Sequence, residues 1–194
     1  MRAGILLAGA ALIAAPACAA RIVDYPIDAA TLAKNAAEQG LAASPTPAKG
    51  TRQIVAQLGP GLDHRVIRVG IFCSAWTVDN PMSSLIRDML MAHDPDGRLD
   101  DPGPTATPVV LTLTNAATLS RCVSTGDLAS VCITKVSIDG TLSAGGDAKP
   151  RPLHVEIEQN TKGVGACAGL TRGIGLVSRE AVIKLIAAAD NATN

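Results

Sequence analysis

The 194-residue chain predicts an α+β fold: a single domain with a mainly antiparallel sheet, a helix packed on one face of it, and a second helix at the C-terminus. Three observations carry that expectation. Val109, Leu111 and Leu113, then Val136 and Ile138, then Leu153, Val155 and Ile157 alternate with polar neighbours, the period of half-buried strands. Met82, Leu85, Ile86 and Met89 recur instead at helical spacing, as do Val182, Leu185, Ile186 and Ala189. The strand signals follow one another along the chain, an order that favours antiparallel pairing between flanking helices.

Residues 1–19 come first and set the address. Arg2 gives a positive start, Ile5 to Ala15 form an apolar run, and Ala17-Cys18-Ala19 supplies small residues for cleavage. This is the pattern of a secretory signal, too short for a stable membrane-spanning helix. Cleavage is expected after Ala19. The alternative, cleavage after Ala17, leaves Cys18 as a lipid-bearing first residue of an outer-membrane lipoprotein, although that pattern usually has Leu where this chain has Ala15. The mature protein is therefore expected to be periplasmic or secreted, with no other run long enough to span a bilayer. The signal and the thirty-three alanines point to a bacterial source.

Residues 20–50 read as an N-terminal helical arm and linker. Asp28 is placed to cap a helix, Ile27 and Leu32 to staple it, and Gly40 to end it. The Pro- and Ala-rich stretch Ala42 to Gly50 follows, so the helix is expected to stand as a mobile arm outside the core.

Residues 51–194 form the expected disulfide-bonded α+β domain. Arg65 to Cys73 reads as a central strand, and Asn80-Pro81 opens a helix running to about His93. Four Pro and two Gly between Asp94 and Pro108 make a long exposed loop. Leu119 to Val123 and Leu128 to Ile138 read as the arms of a hairpin with Val136 and Ile138 inward. After the strand around Val155, a Gly-rich connection spans Gly163 to Gly169, Ile174 to Val177 adds a short last strand, and Ser178 caps the final helix.

The mature cysteines are Cys73, Cys122, Cys132 and Cys167, with no C-x-x-C pair, so they read as staples formed in an oxidising compartment. Cys122 and Cys132 flank a turn centred on Asp127, which places them opposite each other. Elimination then pairs Cys73 with Cys167.

Composition excludes more function than it assigns. Seventeen basic against seventeen acidic residues, scattered without basic runs, argue against nucleic-acid binding. Tyr25, Phe72 and Trp76 are the only aromatics, too few for a stacking platform. No G-x-S-x-G, S-x-x-K, H-E-x-x-H or Walker sequence occurs, so no catalytic or cofactor residue is assigned. His154 beside Glu156 reads as a solvated pair, with an acid–base role as the sharper alternative. Asp94, Asp96, Asp100 and Asp101 depart from the EF-hand pattern at Gly97 and read as an acidic soluble loop; His93-Asp94 lacks a second histidine for zinc. Gly163 to Gly169 has the wrong spacing for a dinucleotide loop.

The leading expectation is an exported, non-enzymatic accessory protein of the bacterial cell envelope. It would contact an envelope protein partner through a sheet edge, the acidic loop or the arm. One alternative is a small periplasmic hydrolase with a site around His154 or His93. The other is a small-molecule-binding domain with a pocket near Trp76.

Overall fold

The computed structural model describes residues 21–23, 25–26, 28–44, 47, 50, 53–62, 66–68, 77–93, 108–124, 130–144, 149–163 and 167–191. The signal segment with Cys18, the residues His64, Cys73, Trp76 and Asp94 to Asp101, and the side chain of Cys167 lie outside them. The Cys73–Cys167 pairing and the Trp76 pocket therefore also lie outside.

Two sheets organise the described chain. The main sheet has the order β2-β5-β6-β7, built from β2 (Ile54–Leu58), β5 (Val109–Ser124), β6 (Ser130–Ala144) and β7 (Arg151–Gly163). Its last three strands are antiparallel neighbours in sequence, while β2 joins β5 in parallel. A smaller sheet of order β1-β4-β3 uses β1 (Arg21–Ile22), β3 (Val66–Arg68) and β4 (Thr77–Asp79). The expected central strand at Arg65 to Cys73 thus appears, in its described part, as the edge strand β3 of this small sheet. An apolar run gives strand character but not position, and the long β5–β7 meander takes the centre.

Helices α2 (Met82–His93) and α3 (Cys167–Asn191) cover one face of the main sheet. Met82, Leu85, Ile86 and Met89 are all buried, as their spacing required, and the helix ends at His93. Between them and the strands lie Leu111, Leu113, Val136, Ile138, Val155 and Ile157. Alternation therefore predicted the core face of all three long strands.

Two expectations at the C-terminus fail together. Ile174 to Val177 is not a strand, and Ser178 is not a cap: α3 begins at Cys167 and carries both in its interior. The end of the expected Gly-rich connection, from Cys167, is already helical, and Gly173 within the helix permits close packing. A side chain at Gly173 would meet the Thr161 side chain at 2.8 to 3.0 Å, so α3 lies directly on β7 there.

Helix α1 (Ala29–Gln39) is capped as expected. The Asp28 carboxylate accepts from the Thr31 amide at 2.7 Å, and Gly40 ends the helix at φ 71°. That carboxyl is held below its ordinary value mainly by the Thr31 amide hydrogen bond. The helix is docked, however. Leu32 and Ala36 are buried with Leu176 of α3, and Arg172 pairs with Glu38 at the rim.

One irregularity sets which residues each sheet face presents. The β5–β6 register shifts between Leu113 and Asn115, a bulge at Thr114. Gly140 sits opposite, where a side chain would meet the Thr112 carbonyl oxygen at 2.4 Å. Leu113 faces the core before the bulge and Ala116 after it.

Candidate functional site: the outer face of the hairpin

The face of β5, β6 and β7 turned away from the helices divides into a polar half and an apolar half. In the polar half, Asp139 stands opposite His154, and its carboxylate accepts from the ring Nδ1 at 2.7 Å and from Asn115 Nδ2 at 3.0 Å. These hydrogen bonds, the histidine's first, hold the Asp139 carboxyl below the usual carboxylate range. Glu156 lies 3.8 Å from His154 Nε2 and 2.7 Å from Lys135 Nζ. The structure thus joins His154 and Glu156, as strand periodicity required, and adds Asp139 from the neighbouring strand. Asp139 and Glu156 sit at opposite edges of the imidazole, so the three groups do not converge on one point as metal ligands must. The members are solvent-exposed, where such pairs contribute little to stability.

The apolar half begins beyond Lys135, toward the hairpin turn. Val123 stands directly opposite Val131, Arg121 opposite Ile133, and Leu119 opposite Lys135. Leu119 is 47%, Val123 63%, Val131 37% and Ile133 44% exposed. Scattered apolar side chains on a surface need no explanation, but these four adjoin across two paired strands around one arginine. Together they expose on the order of a few hundred Å², the size at which patches mark interaction sites.

The reason they face outward lies beneath them. Cys122 and Cys132 are bonded to each other on the inner side. Ser120 and Thr134 share a buried hydrogen bond of 2.9 Å, and the Thr161 hydroxyl donates to the Cys132 carbonyl at 3.3 Å. Leu170 and Ile174 of α3 close over Cys132. Small and polar side chains fill the inner layer, and the pleat sends their larger neighbours to the other side.

His93 occupies a different setting. Its ring is buried, with Nε2 3.0 to 3.1 Å from the Asp190 carboxylate, and its carbonyl accepts from the Gly50 amide at 2.7 Å. A side chain at Gly50 would overlap the ring at 2.3 Å. The histidine ties the C-terminal turns of α2 and α3 together. It and His154 stand on different elements and layers, so they do not form one site.

A further polar hub locks the N-terminal segment. The Tyr25 hydroxyl donates to Asn80 Oδ1, and Asn80 Nδ2 donates to Thr118 Oγ1 at 3.0 Å and Ser178 Oγ at 3.2 Å. Burial pushes the phenol pKa well above its ordinary value. Ser178, read in the sequence as a cap, belongs to this hub.

Sequence reasoning missed the outer patch, although the signal was present. Cys122, Cys132 and Val136 inward fix Val123, Val131 and Ile133 outward by parity.

The architecture that emerges is a two-layer α+β domain with one helix-covered and one open sheet face. No protein-family model matches the chain, and no curated protein matches it. Among solved structures it is similar to the rare lipoprotein B from Shewanella oneidensis, at 13% identity and TM-score 0.40, over 73% of this chain and 93% of that one. A minor lipoprotein from Acinetobacter baumannii is similar at 6% identity and TM-score 0.42, over 74% and 95%. A DUF330 protein from Xanthomonas campestris is similar at 8% identity and TM-score 0.42, over 76% and 88%. Likeness at this level concerns chain course and assigns no role to any residue. Among the described residues no helix is long and apolar enough to cross a membrane.

Proposed function

We propose that the protein is an exported, non-enzymatic accessory protein of the bacterial cell envelope that works by binding an envelope protein partner. The observation that carries this reading is the contiguous apolar patch of Leu119, Val123, Val131 and Ile133 on an otherwise charged sheet face. The Cys122–Cys132 disulfide beneath it supports export, because such bonds persist in oxidising compartments. It also presents the patch on a braced ribbon, which lowers the ordering cost of binding. Arg121 at the centre adds the residue type enriched at interface hot spots.

The test is crosslinking in the native envelope with the double variant Val123→Asp and Ile133→Asp. Both side chains project to solvent, so the variant folds. Loss of a reproducible partner crosslink is the expected outcome; an unchanged crosslink rejects the patch as the contact. Replacing His154 with Asn in parallel separates the readings, since a hydrolase centred there would lose activity while partner capture persisted.

A further inference from the structure

Between α1 and α3 the chain leaves a recess whose floor is a buried cation. Arg172, Gly175, Leu176 and Arg179 lie at i, i+3, i+4 and i+7, one stripe of α3, and Leu32 and Asn35 of α1 face them. The recess holds about 200 Å³ of space continuous with solvent. Arg179 is only 7% exposed, and its Nε has no hydrogen-bond partner among the described residues. Arg172, at the other end of the stripe, is paired with Glu38. Gly175 puts no side chain between the two guanidinium groups.

A buried Nε–H of a charged group with no partner among the described residues is unusual, because an unsatisfied buried donor is unfavourable. Burial holds the Arg179 pKa below its ordinary value, yet an arginine stays protonated near neutral pH. Removing the charge is therefore no remedy, and an anion is. Guanidinium favours oxyanions because its planar donors match paired oxygens. With Arg172 paired to Glu38, the described residues lining the recess carry one further positive charge, that of Arg179.

We propose that the α1–α3 recess is an oxyanion-binding site in which Arg179 grips one oxygen of a phosphate- or carboxylate-bearing ligand and Asn35 and Arg172 line its mouth. The site is separate from the hairpin patch and stands or falls independently of it. Because an anion here touches both helices, its binding also clamps α1 onto α3.

The experiment uses the mature chain with inorganic phosphate as probe at constant ionic strength. The expected result is a saturable shift of the Arg179 Nε–Hε resonance in a ¹⁵N spectrum. It is accompanied by a melting temperature raised roughly 5–10 °C at phosphate about one hundred times its Kd. Arg179→Met removes both effects, whereas Val123→Asp keeps them. An Nε resonance that phosphate does not move overturns the proposal, and so does a phosphate response that survives in Arg179→Met. Repeating the titration with acetate, and with vesicles of phosphatidylglycerol against vesicles of phosphatidylcholine, distinguishes a free anion from a lipid headgroup. The resonance is read in the unsubstituted protein, so the test holds even where the variant fails to fold.

Discussion

Helix α3 has two sides, and they are built on different principles. Toward the sheet it buries Val177, Ala181, Val182, Leu185, Ile186 and Ala189, an apolar stripe that interlocks with α2 and the strands. Toward α1 it meets a small cluster of Leu32, Ala36 and Leu176, bordered by the Arg172–Glu38 pair. Gln39 is buried at that side of the molecule with neither amide atom partnered among the described residues, and Arg179 adds an unpartnered Nε. Unsatisfied buried polar groups oppose burial, so the α1 side is held by a small surplus and the sheet side by a large one. The lesson is that α3 is inseparable from the sheet, whereas α1 is the part with least to lose by opening.

Substitutions on the two sides should therefore differ in kind. Leu185→Ala, in the sheet-side stripe, is expected to cost about 2–5 kcal/mol and to lower the melting temperature of the whole domain by about 5–15 °C. Leu32→Ala removes a similar side chain yet should act locally. Hydrogen exchange would speed up across residues 29–39 while β5–β7 stay protected. Equal loss of protection in both regions would refute the contrast.

Replacing Cys122 and Cys132 together with Ser comes next. Loop-closure entropy for so short a loop gives about 2–3 kcal/mol, and denaturant unfolding measures it. Exchange should rise first at the hairpin end, away from the Leu185 region. The smallest effect is at the α1 cap. The Asp28 carboxyl titrates lower in the folded helix than in the open chain, so its contribution is present above the ordinary carboxylate pKa near 4. That contribution is lost as pH falls through the folded value, and Asp139 follows the same sign through its His154 and Asn115 hydrogen bonds. Below about pH 4, α1 should loosen before the sheet. Asp28→Asn, which retains a capping oxygen but no titrating charge, should remove the α1 component of that profile.

Much of the architecture was legible because single-residue periods decide it. Alternation placed Val136, Ile138, Val155 and Ile157 inward, helical spacing placed Met82 to Met89 inward, and Asp28 and Gly40 bounded α1. What was not legible depended on long-range packing. The stretch Gly163 to Gly169 looks like a connection although its Cys167 opens α3, Gly173 reveals its role only where Thr161 lies against it, and Ser178 looks like a cap until Asn80 reaches it. The arm read as mobile because the linker after it is Pro-rich, and nothing local announced Leu176 as its partner. The strand β2 had no alternation to reveal it, since every residue but Gln57 is at least partly covered. For the candidate site, His154 and Glu156 were visible from spacing on one strand. Asp139 needed the neighbouring strand's register, and the recess at Arg179 needed two helices.

The bulge at Thr114 acts on the chain as a phase shift acts on a wave. Were Thr114 paired in a regular ladder and not bulged out, the odd-numbered positions that face the core at Val109, Leu111 and Leu113 would continue to do so along β5. Leu119, Arg121 and Val123 would then point under α3, and Cys122 would emerge on the open face. Deleting Thr114 would therefore leave the downstream faces as they are, with Asn115 following Leu113 outward and Ala116 inward in a regular ladder, whereas forcing Thr114 into the ladder would turn Cys122 away from the face that holds Cys132. A single backbone irregularity thus decides which side of the hairpin is wall and which is window.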